Sequence, residues 1–292
     1  MEKQYIYKRL ALLPIIWVTI IVTHTLLYYW LPDSPSSWLY MPNLNYNEQI
    51  NLYLPNNSMY DYLKQALWLN FGESLFHKKD CLTLILSHLP LSLKMTFSAF
   101  ILLYSSSLML GYALFKKHPL ARSTQNLFKS ISSIPSFLLY TLVFLLAQRI
   151  IPIAPIGYLT ATLFLVMKRI APLSKLISTC LIAETQKPYW VLSQQRGISQ
   201  YRLLTSYLFK NALIPVWIKA PKHFCHILFS ACSAVEMLFS LKGFGYLSFI
   251  AMKQLDYPLI LACVSVSSMV ISLAYILGDI LQIYLTPSMR KS

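Results

Sequence analysis

The chain has 292 residues, of which 56% are hydrophobic, 14% aromatic and only 12% charged, about half the charged share of a soluble domain. That composition excludes an ordinary soluble enzyme and indicates an integral membrane protein. The formal net charge of +15 does not indicate nucleic acid, because Lys and Arg stand in short runs between apolar blocks rather than along one face or in a tail.

Residues 1–9 carry Lys3, Lys8 and Arg9 and read as a cytoplasmic N-terminus. The apolar run 10–31 that follows can cross a hydrocarbon core, which needs about 20 residues. It is too long for the core of a signal peptide and no small-residue cleavage site follows, so a retained first transmembrane helix is expected. Residues 32–90 form the one acidic section, with Asp33, Glu48, Asp61, Glu73 and Asp80 against Lys64, Lys78 and Lys79. They read as an external loop, with a small surface helix around residues 62–71.

The second span is expected at 91–115, followed by a connection bearing Lys116, Lys117, Arg122 and Lys129 and no acid. The third is expected at 131–151 and the fourth at 153–182, the latter crossed by Lys168, Arg169 and Lys175. The fifth and sixth fall at 218–239 and 259–285, joined by the short loop 240–258, and residues 286–292 end the chain. With the N-terminus inside, the basic segments 1–9, 116–129, 184–210 and 290–292 all fall on the cytoplasmic face, as the positive-inside rule requires. The expected fold is therefore all-α, a polytopic membrane protein with six transmembrane helices and both termini inside. Residues 91–285 make its five-helix core, including the cytoplasmic loop 184–215.

Residues 189–221 are neither a span nor a linker. They read as two short helices broken at Gly197, the second with Tyr201, Leu204, Leu208 and Leu213 on one side and Arg202, Ser206 and Lys210 elsewhere. Gly197 can adopt the positive φ that ends one helix and aims the next, and Pro215 can open a helix but not continue one. The product is a rigid elbow suited to a partner's groove. The alternative is an interfacial helix resting on lipid through Tyr189, Trp190, Tyr201 and Tyr207.

Along the fifth span Lys219, Lys222, His223 and His226 recur at three and four residues, and Ser230 and Ser233 extend the row. Such a stripe faces a bundle interior or a water-filled path, unless its lysines lie at headgroup level. His223 and His226 lack a third ligand, and the five cysteines (Cys81, Cys180, Cys225, Cys232, Cys263) are odd in number and without C-x-x-C spacing, so no metal site and no disulfide framework is expected. Glu184, Glu236 and Asp279 are too scattered for an acid–base pair, which argues against a membrane-embedded enzyme. A chain with seven glycines and no G-x-x-x-x-G-K-[ST] cannot cradle nucleotide phosphates as a P-loop does.

Gly197-Ile198-Ser199-Gln200-Tyr201-Arg202, followed by Lys210-Asn211-Ala212-Leu213-Ile214-Pro215, resembles the cytoplasmic loop of ABC importer permeases of the dipeptide and oligopeptide branch. The likeness continues in order through Pro32-Asp33-Ser34-Pro35, Leu89-Pro90, Ile134-Pro135-Ser136-Phe137, Val235-Glu236, Gly243-Phe244-Gly245, Asp256-Tyr257-Pro258 and Gly278-Asp279. Where many importers have Glu-Ala-Ala, this chain has Val191-Leu192-Ser193.

The resemblance implies a permease subunit of the bacterial inner membrane that forms half of a translocation path. It also implies coupling to an ATPase through Ser193, Arg196, Gly197, Ser199, Tyr201, Arg202, Asn211 and Pro215. Lys222, His226, Ser230 and Ser233 would line the path, and Glu236, Gly243, Phe244, Gly245 and Asp256 would form an external gate. The expected partners are a second permease, two ATP-binding subunits that hold the ATP, an extracytoplasmic solute-binding protein and a peptide. No cofactor and no metal are expected on this chain. Import of nickel or another small solute is the alternative that the same scaffold allows.

Overall fold

A computed structural model describes residues 2–30, 59–150 and 157–286. Residue 1, residue 31 at the end of the expected first span, the expected loop residues 32–58, the segment 151–156 and the terminal residues 287–292 lie outside it. Among the described residues the chain is helical, and the only extended pairing is an isolated bridge between Glu73 and Asp80.

In order, the helices are α1 (Glu2–Trp30), α2 (Met59–Leu67), α3 (Cys81–Phe115), α4 (Pro119–Ser133), α5 (Ser136–Ile150), α6 (Gly157–Thr185) and α7 (Pro188–Gln195). There follow α8 (residues 200–212), α9 (residues 214–238), α10 (Phe244–Gln254) and α11 (Tyr257–Leu285). Each of α8 and α9 contains π-helical winding, over Leu203–Phe209 and Ile227–Ala231 respectively. By length and composition α3 and α11 are the two described helices able to cross a membrane outright. The chain groups into two compact units, residues 1–2, 93–239 and 277–292 in the first and residues 3–92 and 240–276 in the second.

In the first unit α4 lies on α6. The Gln125 side chain donates to the Ala171 carbonyl at 2.9 Å and accepts from the Ser174 hydroxyl at 2.8 Å, so a polar residue on α4 is satisfied within the helix pair. α3 meets α6 at Gly111, where a Cβ would stand 2.8 Å from Ile177 Cγ2 and 2.9 Å from the Ser174 carbonyl oxygen. Only glycine permits that approach. The basic connection after α3 is itself a helix, α4, and it is separated from α5 because Pro135 forces the preceding Ile134 into extended backbone, φ −74 and ψ 136. Lys168 does not interrupt α6. Its ammonium reaches the α4–α5 break and donates to the Ile134 carbonyl at 2.5 Å and to Ser136 Oγ at 3.0 Å.

In the second unit α3 begins at Cys81, ten residues before the expected start of the span. Asp80 explains the early start: its carboxylate accepts from the Thr83 amide at 2.9 Å and the Thr83 hydroxyl at 2.8 Å, which satisfies a free amide of the first turn. Pro90 then sits inside the helix rather than before it. Fully buried Asp256 precedes α11, accepting from the Ser74 hydroxyl at 2.5 Å and from the Leu259 amide at 3.4 Å. Phe244, at the start of α10, donates its amide to Ser92 Oγ at 2.7 Å.

Candidate coupling elbow and polar path

The elbow consists of α7 and α8. Pro188 opens α7 within its first turn, after extended Lys187. Buried Ser193 returns its hydroxyl to the Tyr189 carbonyl at 2.7 Å, and exposed Arg196 caps the helix end. Gly197 follows at φ +68, with nothing within 4 Å of where a Cβ would stand. The turn therefore needs glycine for backbone freedom and not for space. Exposed Ser199 occupies the cap position of α8, its carbonyl accepting from the Leu203 amide at 2.9 Å.

Within α8 the packed side differs from an α-helical reading. Tyr201 is 79% exposed, whereas Leu203 and Leu208 are buried with Ala212 behind them. The π-helical winding over Leu203–Phe209 accounts for this, because i→i+5 bonding brings residues five apart onto one side and rotates Tyr201 outward. Arg202 and Lys210 are exposed as well, so the outer surface of the elbow is cationic and aromatic. Pro215 lies exposed in the first turn of α9.

A clamp that sequence reasoning missed holds the elbow. The Tyr189 hydroxyl donates to Glu184 at the end of α6 and accepts from the Asn211 amide of α8 at 3.3 Å, while Lys187 pairs with Glu184 at 2.7 Å. One phenol thus ties α6, α7 and α8 together. Burial, and then the hydrogen bond to Glu184, push the Tyr189 phenol above its ordinary range, so it stays a donor at every physiological pH. The available signal was the placement of Glu184 and Asn211 at either end of the segment, each with side-chain hydrogen-bonding capacity that an apolar neighbourhood must satisfy.

The polar row on α9 is partly gathered. His226 is exposed and its Nδ1 lies 2.7 Å from an Arg169 guanidinium nitrogen on α6. Since Arg only donates, Nδ1 accepts and the imidazole proton sits on Nε2. His223 Nδ1 lies 3.0 Å from the Tyr104 hydroxyl, and Tyr104 stacks on Trp217 at 5.8 Å. Lys222 is half-buried, its Cε 3.4 Å from the site of a Cβ on Gly278. Ser233 turns its hydroxyl to the Phe229 carbonyl at 2.9 Å, and the side chain of Ser230 lies outside the described residues. Arg169, a charge within an apolar run, is the residue of this group that the α9 stripe did not include.

Of the expected gate residues, Gly243, Phe244, Gly245 and Asp256 are all buried and belong to the second unit, whereas fully buried Glu236 belongs to the first and accepts from the Cys232 thiol at 3.0 Å.

Helical throughout its described residues but for one isolated bridge, with a clamped elbow and polar side chains gathered on apolar helices, the chain has the make-up of a membrane transport component. It belongs to the family of binding-protein-dependent transport system inner membrane components, whose model matches residues 104–291. It is a permease and not an enzyme. Among its relatives is an inner membrane ABC transporter permease of Escherichia coli, YejB, 25% identical over 251 residues that cover 76% of this chain and 67% of the relative. The dipeptide transport permease DppB of Bacillus subtilis is 25% identical over 239 residues, 78% of this chain and 77% of the relative. The nickel import permease NikB of Staphylococcus aureus is 23% identical over 234 residues, 78% of this chain and 71% of the relative.

Proposed function

We propose that the chain imports peptides as half of an ATP-driven translocation path, with α1, α3, α5, α6, α9 and α11 as six spans and both termini in the cytoplasm. The observation that carries this reading is the elbow. Gly197 and the Glu184–Tyr189–Asn211 clamp hold two short helices in one orientation while Tyr201 and Arg202 remain uncovered. Rigidity with an uncovered cationic and aromatic tip is what force transfer from a second protein requires, because a flexible segment would dissipate the motion. A separate pair of ATP-binding subunits would dock there, contacting Ser199, Tyr201 and Arg202, with Ser193, Arg196, Gly197, Asn211 and Pro215 holding the shape.

In this reading a second permease completes the path, a solute-binding protein delivers the peptide from outside, and alternating access exposes the route to each side in turn. Gly243, Phe244, Gly245 and Asp256, with Glu236, serve the external gate. Lys222, His226, Ser230 and Ser233 line the path together with Arg169. Arg169 lies about 18 Å along α6 from Gly157 and about 24 Å from Thr185 at the helical rise of 1.5 Å per residue, deep in the span. A charge at that depth costs several kcal/mol against lipid, so it faces water or the partner permease.

Two cations of the same group favour peptide over nickel. Arg169 and Lys222 attract the terminal carboxylate of a peptide and repel a bare divalent cation. Uptake into vesicles holding the purified complex tests both points. Peptide with a free C-terminus should enter with ATP hydrolysis, and Lys222→Leu with His226→Leu should slow it. Unchanged uptake in that variant would remove these residues from the path, and uptake of nickel but not peptide would reverse the substrate assignment.

A further inference from the structure

A cavity of about 610 Å³ opens between α4 and α6, lined by Lys117, Arg122, Lys129 and Lys175 with His118 and Ser178 among its walls. Arg122 and Lys129 are two turns apart on α4, with Asn126 between them on the same side, and Lys175 faces them from α6. No acid lines the cavity. Ser178, only 8% exposed, lines this space and brings a hydroxyl to its wall. Four cations and a hydroxyl on one cavity, with no acid among its walls, suit a group that carries several negatively charged oxygens.

The positive-inside rule explains why cations stand in this connection, but not why three of them share one cavity with Lys175 of α6. We propose that the cavity holds the phosphate of an anionic phospholipid headgroup. The amphipathic character of α4 supports lipid over a soluble phosphate. Its Leu120 and Leu127 are 70% and 57% exposed on the side away from the basic residues, an apolar face that acyl chains would cover beside a bound headgroup. Gln125, bonded to Ala171 and Ser174, fixes one wall, so the site is rigid before the lipid arrives. Occupied, it fastens α4 to α6 and thereby steadies the inner end of the helix that leads into the elbow.

The test uses the complex purified in detergent and titrated with short-chain phosphatidylglycerol, short-chain phosphatidylcholine, glycerol phosphate and inorganic phosphate, with bound lipid read by native mass spectrometry. Phosphatidylglycerol should bind saturably and phosphatidylcholine should not. Arg122→Gln with Lys175→Gln should weaken phosphatidylglycerol about 30-fold, roughly fivefold for each cation removed. Lys253→Gln, a charge removed elsewhere, should change nothing. Arg122→Lys with Lys175→Arg preserves the charge and should retain binding, which guards against a misfolded first variant. Equal binding of the two lipids, or undiminished phosphatidylglycerol binding in the charge-removing variant, would overturn the site. Competition by inorganic or glycerol phosphate at the concentration of the whole lipid would overturn the lipid as its occupant.

Discussion

Replacing Gly197 isolates backbone conformation from packing, because a Cβ there meets nothing within 4 Å while φ is +68. An L-residue in the left-handed region costs about 1–2 kcal/mol, so Gly197→Ala should shift the elbow away from its native shape by a factor of about 5 to 30. Asn visits that region more readily than Ala, and a β-branched residue least of all, so the expected order of function is Gly, Asn, Ala, Val. The assay is ATP hydrolysis by the purified complex in vesicles, with and without substrate delivered from outside. Coupling, the ratio of the two rates, should fall in that order while the amount of assembled complex changes little. If Asn proves as harmful as Val, side-chain volume against a partner governs the position and the argument from φ is wrong. If all three variants couple normally, the turn does not transmit motion.

Tyr189→Phe should loosen the elbow by about 1–2 kcal/mol through the loss of the bonds to Glu184 and Asn211, read as a lower melting temperature of the complex. Because the Tyr189 phenol is raised, the native state holds its proton more tightly than the unfolded chain does. The clamp's contribution is therefore full below about pH 10 and declines only as pH rises toward the folded value; a loss of coupling near neutral pH that Tyr189→Phe abolishes would contradict this. Gly111→Ala should cost about 1–3 kcal/mol by overpacking, and Ile177→Ala should restore only part of it because the Ser174 carbonyl stays 2.9 Å away; full rescue in a thermal melt would refute the backbone contact. Ser74→Ala should destabilise by about 1–3 kcal/mol by leaving the buried Asp256 carboxylate short of a donor, whereas Asp256→Asn in the same melt should cost less than Asp256→Ala.

Much of the elbow was legible because glycine and proline act locally. Gly197 and Pro215 mark their turns whatever surrounds them, and apolar length marks α3 and α11 in the same way. What sequence did not disclose depends on contacts made across the fold. Lys168 looks like an interruption of a span until Pro135 is seen to free a carbonyl within its reach. Tyr201 looks like part of the packed side of α8 until the π-helical winding turns Leu203 and Leu208 inward instead. The start of α3 at Cys81 follows from the Asp80 cap, a short-range signal that the search for an apolar run passed over. The Arg169–His226 pair joins residues 57 apart, and no periodicity within one helix can reveal it.

The most direct test of the coupling role is photo-crosslinking in intact membranes from a benzophenone amino acid placed at Tyr201, with a second probe at Arg202. Both side chains are uncovered, so a docked partner must pass within reach of them. The account predicts adducts with an ATP-binding subunit at both positions, and with none at Leu208, which is fully buried. Adducts with lipid alone at positions 201 and 202 would mean that the elbow rests on the bilayer and receives no force from an ATPase.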